Sequence, residues 1–308
     1  MTDDRKHILV RASVVLILIL CCVTFLMAAQ QGGAAQRAPG FFDFWLRPRV
    51  WMSLLFSLIG LGLLIRGWVT RNLRFAFLFL IAFTFGFLWI LPLGSFARGL
   101  GIHPSPMCIV EKPFLFVQNG RAIPVMFLSL FASIAILTLI GAKLFCGWVC
   151  PVGALQEIMH RIPAPKIKLP FRMTNTVRIT VFILFLVVLF AAGFSFYPYL
   201  NPFEFFHFGF GAVAILILAV VLAAAVFIFR PFCYTLCPLG LLTWIIEQVS
   251  LTRVRFDKEK CNDCQVCVNK SPCPTVSAIL AGKRIRPDCH PCGRCIEVCK
   301  EGALKFRK

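Results

Sequence analysis

The sequence lacks the signatures of nucleotide and hydrolytic chemistry. No G-x-G-x-x-G opens after a strand, and there is no P-loop and no Ser/His/Asp order. Histidine is scarce. There are five in 308 residues, with no pair at helical spacing on facing apolar spans, which leaves no footing for a bis-histidine haem. Acid is scarce too: 13 Asp and Glu stand against 32 Lys and Arg, for a net charge of +19. Such a balance often marks nucleic-acid binding. Here most of the cations sit in loops between apolar spans, so membrane topology explains them better and no nucleic-acid partner is expected. The chain is 59% hydrophobic with a mean hydropathy of +0.84, too apolar for a soluble domain.

Six stretches are long and apolar enough to be read as spans. They are Ile8–Ala29, Val50–Ile65, Leu73–Leu93, Ile123–Phe145, Val177–Phe196 and Phe208–Phe229. The first also reads as a signal peptide, because Met27-Ala28-Ala29-Gln30 offers small residues near a cut; an uncleaved helix is the preferred reading. Lys and Arg crowd the two termini and the loops after the second and fourth spans, and the Tyr197–His207 loop holds none. The positive-inside bias therefore places both termini in the cytoplasm of a multi-pass inner-membrane protein.

Eight of the 15 cysteines lie in the tail. One group is Cys261-x2-Cys264-x2-Cys267 followed by Cys273-Pro274. The other is Cys289-x2-Cys292-x2-Cys295 followed by Cys299. Two C-x2-C-x2-C runs, each with a fourth cysteine, form the ligand pattern of ferredoxins that hold two [4Fe–4S] clusters, the fourth ligand coming from the other run. The spacing assigns Cys261, Cys264, Cys267 and Cys299 to one cluster, and Cys273, Cys289, Cys292 and Cys295 to the other. Zinc usually takes paired knuckles rather than triplets with a distant single. The spacer between Cys267 and Cys273 is five residues rather than three, and Lys300 rather than Pro follows Cys299.

A second constellation is an internal repeat. Phe145-Cys146-x3-Cys150-Pro151-x-Gly153-x-Leu155 and Phe232-Cys233-x3-Cys237-Pro238-x-Gly240-x-Leu242 share one pattern, and Pro113-Phe114 and Pro202-Phe203 precede them at similar distances. Each Pro must break or restart a helix at the membrane surface. A pseudo-twofold axis would let the four thiolates meet at one site. Packing residues or disulfides are the plainer readings, and cytoplasmic disulfides are disfavoured. Iron–sulfur, copper and a plain dithiol all suit soft thiolates, so the species at Cys146, Cys150, Cys233 and Cys237 stays open. Lys143 and Arg230, within a turn of each copy, can either snorkel to headgroups or offset thiolate charge. Elsewhere, Glu204 and His207 among phenylalanines, with His103, are candidates for a quinol site, and Cys108 beside Met107 for thiol exchange or copper; an interface anchor and an ordinary loop cysteine are the alternatives.

These motifs resemble a known family. The two C-x3-C-P turns, followed by Lys260-Cys-Asn-Asp-Cys-Gln-Val-Cys and Asp288-Cys-His-Pro-Cys-Gly-Arg-Cys-Ile-Glu-Val-Cys, are similar to the ferredoxin-type polytopic membrane protein of periplasmic nitrate reductase systems and to that of methylamine utilisation. The first turn also resembles the membrane regulator of nitrous oxide reduction and a cytochrome oxidase assembly protein. The resemblance covers about Pro113 to Phe306. It implies a quinol dehydrogenase-type component that passes electrons from membrane quinol, through iron–sulfur and haem partners, towards a periplasmic reductase. A longer N-terminal part and the spacer before Cys273 depart from the pattern.

The expectation is therefore an α-helical integral membrane protein of about six transmembrane helices, with a small C-terminal α+β ferredoxin-like domain. The membrane domain would span 1–250, with its cysteine turns at 146–151 and 233–238, and the tail domain 251–308. The expected cofactors are two [4Fe–4S] clusters, with a further metal or cluster as a candidate at the turns. The expected partners are the membrane, cytoplasmic or membrane redox proteins, and quinol. The rival reading, from another class, is a redox assembly factor that reduces metal or thiol for a copper or haem enzyme.

Overall fold

The computed structural model describes residues 40–92, 94–101, 105–207, 211–283 and 285–307, apart from the side chain of His207. The first expected span, with Cys21 and Cys22, lies outside the described residues, as does His103.

The described chain is mostly helical. It opens with α1 (Pro48–Ile65) and α2 (Arg71–Ala82), the latter running on through a π turn, Phe83–Phe87, to Ile90. The short α3 (Gly94–Gly99), then α4 (Pro106–Gln118) and α5 (Val125–Gly141), lead to the first cysteine turn, which is built from α6 (Leu144–Trp148) and α7 (Pro151–Met159). After α8 (Phe171–Ala192) and α9 (Ala212–Phe227), the second turn repeats the device with α10 (Pro231–Thr235) and α11 (Pro238–Glu247). The tail adds β1 (Arg253–Phe256), three short helices, α12 (Val266–Lys270), α13 (Thr275–Leu280) and α14 (Arg294–Glu297), and β2 (Leu304–Arg307).

Among the described residues three helices are long and apolar enough to cross a membrane: Pro48–Ile65, Arg71–Ile90 and Phe171–Ala192. Two others expected as spans are shorter than their hydropathy suggests. Helix α5 has 17 residues and α9 has 16. At the usual helical rise each covers roughly 25 Å, less than the ~30 Å apolar core of a bilayer. What stops them is backbone geometry just before each cysteine turn. Helix α5 ends at Ala142, whose φ of 56° no helix can continue through, and α9 ends at Ile228, which is extended at φ −113° and ψ 132°; Arg230, at φ 49°, then opens the second turn. The apolar residues beyond each stop belong to the turns, not to the spans.

Two apolar cores result. One fills the helical bundle with Phe56, Phe85, Ile134, Phe185 and Phe206, and it includes Cys146, Cys150, Cys233 and Cys237. The other is shared between bundle and tail. Leu63 and Leu64 of α1, Phe77 of α2 and Trp148 pack with Val254, Val276, Ile279, Leu304 and Phe306. The strands β1 and β2 pair antiparallel, Val254 opposite Phe306 and Phe256 opposite Leu304. Along β2 burial alternates, so Leu304 and Phe306 face the shared core. Gly293 fixes the closest approach. It has φ +75°, and a Cβ there would come within 2.9 Å of Val69. Only glycine meets both conditions.

Phe306→Ala should therefore loosen the tail as well as the sheet. The expected cost is about 3–5 kcal/mol, read as a lower unfolding temperature of the detergent-solubilised chain and faster release of the tail in limited proteolysis.

Candidate redox centre at the duplicated cysteine turns

The two turns are built alike. The first cysteine of each copy, Cys146 or Cys233, lies on a five-residue helix. The second, Cys150 or Cys237, caps the helix that follows, with Pro151 or Pro238 next in the chain as its first residue. In each cap the thiol accepts the backbone N–H three residues on: Gly153 to Cys150 at 3.5 Å, Gly240 to Cys237 at 3.4 Å. The glycine of the motif has a packing reason. A Cβ on Gly153 would stand 2.8 Å from the carbonyl oxygen of Cys146, and one on Gly240 the same distance from that of Cys233.

The structure brings the four thiols together. Cys150 lies within electrostatic reach of Cys233, Cys146 and Cys237, and Cys237 within reach of Cys233 and Cys146. All four are buried and free. Burial pushes the Cys146 thiol up to about 11, against the pull of Lys143 and Arg230. Bare thiolates are thus disfavoured in this pocket.

Cations cross between the copies. Lys143, of the first, donates from Nζ to the carbonyl of Gly240 at 2.6 Å and pairs with Asp288. Arg230, of the second, donates to the carbonyl of Cys146 at 2.6 Å and pairs with Glu157 at 2.6 Å. Neither snorkels, since both are fully buried. Each carboxylate also takes a second cation from a long helix: Arg74 to Glu157 at 2.9 Å, Arg178 to Asp288 at 3.0 Å. Burial would raise both acids. Instead Arg74 and Arg230 hold Glu157 down at about 2, and Lys143 with Arg178 hold Asp288 below the usual carboxylate range. Gln156 completes the frame, accepting the N–H of Phe232 at 3.0 Å and donating to the Cys233 sulfur at 3.5 Å.

In the tail, Cys273, Cys289, Cys292 and Cys295 line one small, mostly apolar cavity, closed by Leu64, Val254, Val276 and Phe306. That is a small apolar recess lined by four thiols, Cys295 buried and the other three half-buried, beside the fixed charges at Asp288, and its donor set suits a thiolate-bound cluster. The other set is more open. Cys267 is buried within reach of Cys299 and Cys264, Cys264 is exposed, and Cys261 is half-buried with Asp263 beside its sulfur at 3.6 Å. Among the described residues no three His, Cys, Asp or Glu side chains converge tightly enough to hold a single ion.

The first turn and the tail loop are in direct contact. The indole N–H of Trp148 donates to the carbonyl of Pro291 at 3.0 Å. The rings of Tyr234 and His290 stand 5.2 Å apart, and the Tyr234 hydroxyl donates to the carbonyl of Asp288 at 3.3 Å. Glu247 accepts the N–H of Cys289 at 2.9 Å. Of the remaining candidates, Met107 packs in the same core as the turn cysteines, and Arg49 lies within electrostatic reach of both Cys108 and Cys150. Glu204 accepts from Asn201 at 2.9 Å, and Cys108 and Met107 are buried on α4.

A family described as "4Fe-4S binding domain" matches residues 123–170 and 210–257, the two copies of the repeat. The chain is 30% identical over 240 residues to the ferredoxin-type protein NapH of Haemophilus influenzae, covering 71% of this chain and 80% of that one. The chain belongs to this ferredoxin-type family. The NapH of Escherichia coli is 27% identical, over 69% of this chain and 78% of its own length. The methylamine utilization ferredoxin-type protein MauN of Methylorubrum extorquens is 26% identical, over 56% and 63%. No solved structure matches. In this ferredoxin-type chain the family match falls on the C-x3-C-P turns and ends before Cys261.

Sequence reading found the cysteines but not the frame around them. Glu157, Arg178 and Arg74 belonged to no motif, and Asp288 and Gln156, which adjoin the cysteine motifs, carried no role of their own. One signal was available: a cation stands three residues before the first cysteine in both copies, Lys143 and Arg230.

Gly240→Ala should force the α11 N-terminus away from Cys233, at a cost of about 1–3 kcal/mol, visible as a lower unfolding temperature. Glu157→Gln should cost more, about 3–5 kcal/mol, because Arg74 and Arg230 would then be buried against no carboxylate. The same measurement ranks the two.

Proposed function

We propose that this chain is a membrane-bound iron–sulfur electron-transfer protein. Two [4Fe–4S] clusters would be held by Cys261, Cys264, Cys267 and Cys299, and by Cys273, Cys289, Cys292 and Cys295. Cys146, Cys150, Cys233 and Cys237 would hold a further redox centre between the membrane bundle and the tail. A [4Fe–4S] cluster, when bound, accepts and returns one electron at a time.

The observation that carries the reading is the contact of Trp148, within the first cysteine turn, with the Cys289–Cys292 loop. It joins two cysteine sets through a direct hydrogen bond. The residues then have distinct tasks. Lys143, Arg178 and Arg230 offset the negative charge that thiolates bring into a buried site. Asp288 and Glu157 keep those cations in place. Leu64, Val254, Val276 and Phe306 cover one side of one tail set, and the exposed Cys264 leaves the other facing solvent, where a soluble partner can dock.

The relatives named as ferredoxin-type proteins support the iron–sulfur part. The inner-membrane location, cytoplasmic termini, the 1–250 and 251–308 division, six spans and quinol as the membrane-side reductant complete the proposal. They rest on charge distribution and resemblance.

The test is iron and acid-labile sulfide per chain on anaerobically purified protein, with low-temperature EPR after dithionite. About 12 iron per chain is expected if the turns hold a third cluster. About 8 would confine clusters to the tail and leave the turns as thiols. Zinc without iron would overturn the proposal.

A further inference from the structure

A cavity of about 290 Å³ opens where the tail meets the start of α2 and the loop after α7. This is close to the lower end of small-molecule sites. Its wall carries Arg71, Arg74, Arg161, Lys166, Lys168 and Arg294, with Lys270 beside them. Only Glu157 and Glu297 line it as acids, and both are already engaged: Glu157 with Arg74 and Arg230, Glu297 with Arg294 and the N–H of Arg71. Several of the cations bond backbone carbonyls, which hold them without cancelling charge. Arg161 donates to Arg71, Lys166 to Ile162 and Val226, and Lys168 to Val268. Arg74, Arg71 and Arg294 press on Arg161 as like charges.

Two further groups ask for an acceptor. Arg74 and Ser271 line the cavity and are buried, at 2% and 1% exposure. Nη1 of Arg74 and Oγ of Ser271 have no hydrogen-bond partner. Buried donors left unpaired are costly, and in a net-cationic recess the group that satisfies them is an anion with several oxygens. Val69, Ile167 and Phe229 add an apolar side to the wall, and Arg71 opens a helix long enough to cross a membrane.

We infer that this cavity binds a phosphate group of an anionic ligand, either a phospholipid headgroup at the membrane surface or a soluble phosphate compound. The phosphate oxygens would accept from Arg74 and Ser271, and the flexible cations at the mouth would close around it. The site stands on charge and geometry alone and goes beyond the electron-transfer reading, although Cys292 lines the same wall.

The test uses the full chain in detergent, titrated calorimetrically with pyrophosphate. Arg161→Gln/Lys270→Gln should bind about tenfold or more weakly than the parent chain. The single Lys270→Gln, at an exposed position, keeps the comparison valid should the double variant fold poorly. In parallel, the chain is reconstituted in nanodiscs of phosphatidylcholine with phosphatidylglycerol, and lipids retained after detergent washing are identified by native mass spectrometry. Phosphatidylglycerol retained by the parent chain and lost from the variant assigns a lipid headgroup. Charge-dependent pyrophosphate binding without lipid retention assigns a soluble ligand. Neither probe bound, or both bound equally by parent and variant, overturns the site. Iron content is read on the same samples, so loss of the clusters and loss of the anion site are told apart.

Discussion

The buried carboxylate of Asp288 is the constraint on which the rest depends. It sits one residue before Cys289 and takes Lys143 from the first repeat copy and Arg178 from a long apolar helix. Its backbone carbonyl accepts from Thr275 at 2.7 Å and from Tyr234. A lone carboxylate or ammonium at this depth would be untenable, and each makes the other admissible. The pairing therefore specifies position more than it adds stability. The Cys289–Cys295 loop of the tail is thereby held over the cysteine turns.

The same logic runs through the duplicated unit. Each copy supplies a cation that is satisfied by the other, Lys143 on Gly240 and Arg230 on Cys146. Half of the repeat alone would bury an unpartnered charge. The glycines Gly153 and Gly240 let each capping helix close against its own first cysteine, which holds the two thiols of a copy at a fixed pitch. Short-range backbone sterics set the pairs, and long-range ion pairing sets the foursome.

Much of this was legible in the sequence, for physical reasons. Cysteine spacing is read directly, because a cluster fixes the pitch of its ligands. The repeat was visible because the turn tolerates few residues at Pro151, Gly153 and their counterparts. Where α5 and α9 stop was not legible. Hydropathy sees apolar residues continuing to Phe145 and Phe229, but not the positive φ at Ala142 or the extended backbone at Ile228. Nor were the partners of the cations. Lys143 and Asp288 lie 145 residues apart, and charge in a membrane sequence looks the same whether it is bound for headgroups or for a buried carboxylate. The tail read as a separate domain because its two cysteine runs carry the pattern of a small two-cluster ferredoxin. Its core in fact borrows Leu64, Phe77 and Trp148 from the bundle.

That borrowed core bears on how the molecule matures. Leu63 and Leu64 are far from Phe306 in the chain, so their contact forms only after the whole intervening chain has been made. Until it forms, Cys273, Cys289, Cys292 and Cys295 are without the wall that Leu64 and Phe306 supply. If the proposed cluster is held there, the interval before docking is the natural moment to deliver it. Once the tail has seated, Leu64 and Phe306 cover one side of those cysteines, and uncovering that side would require prising a sheet from a long apolar helix.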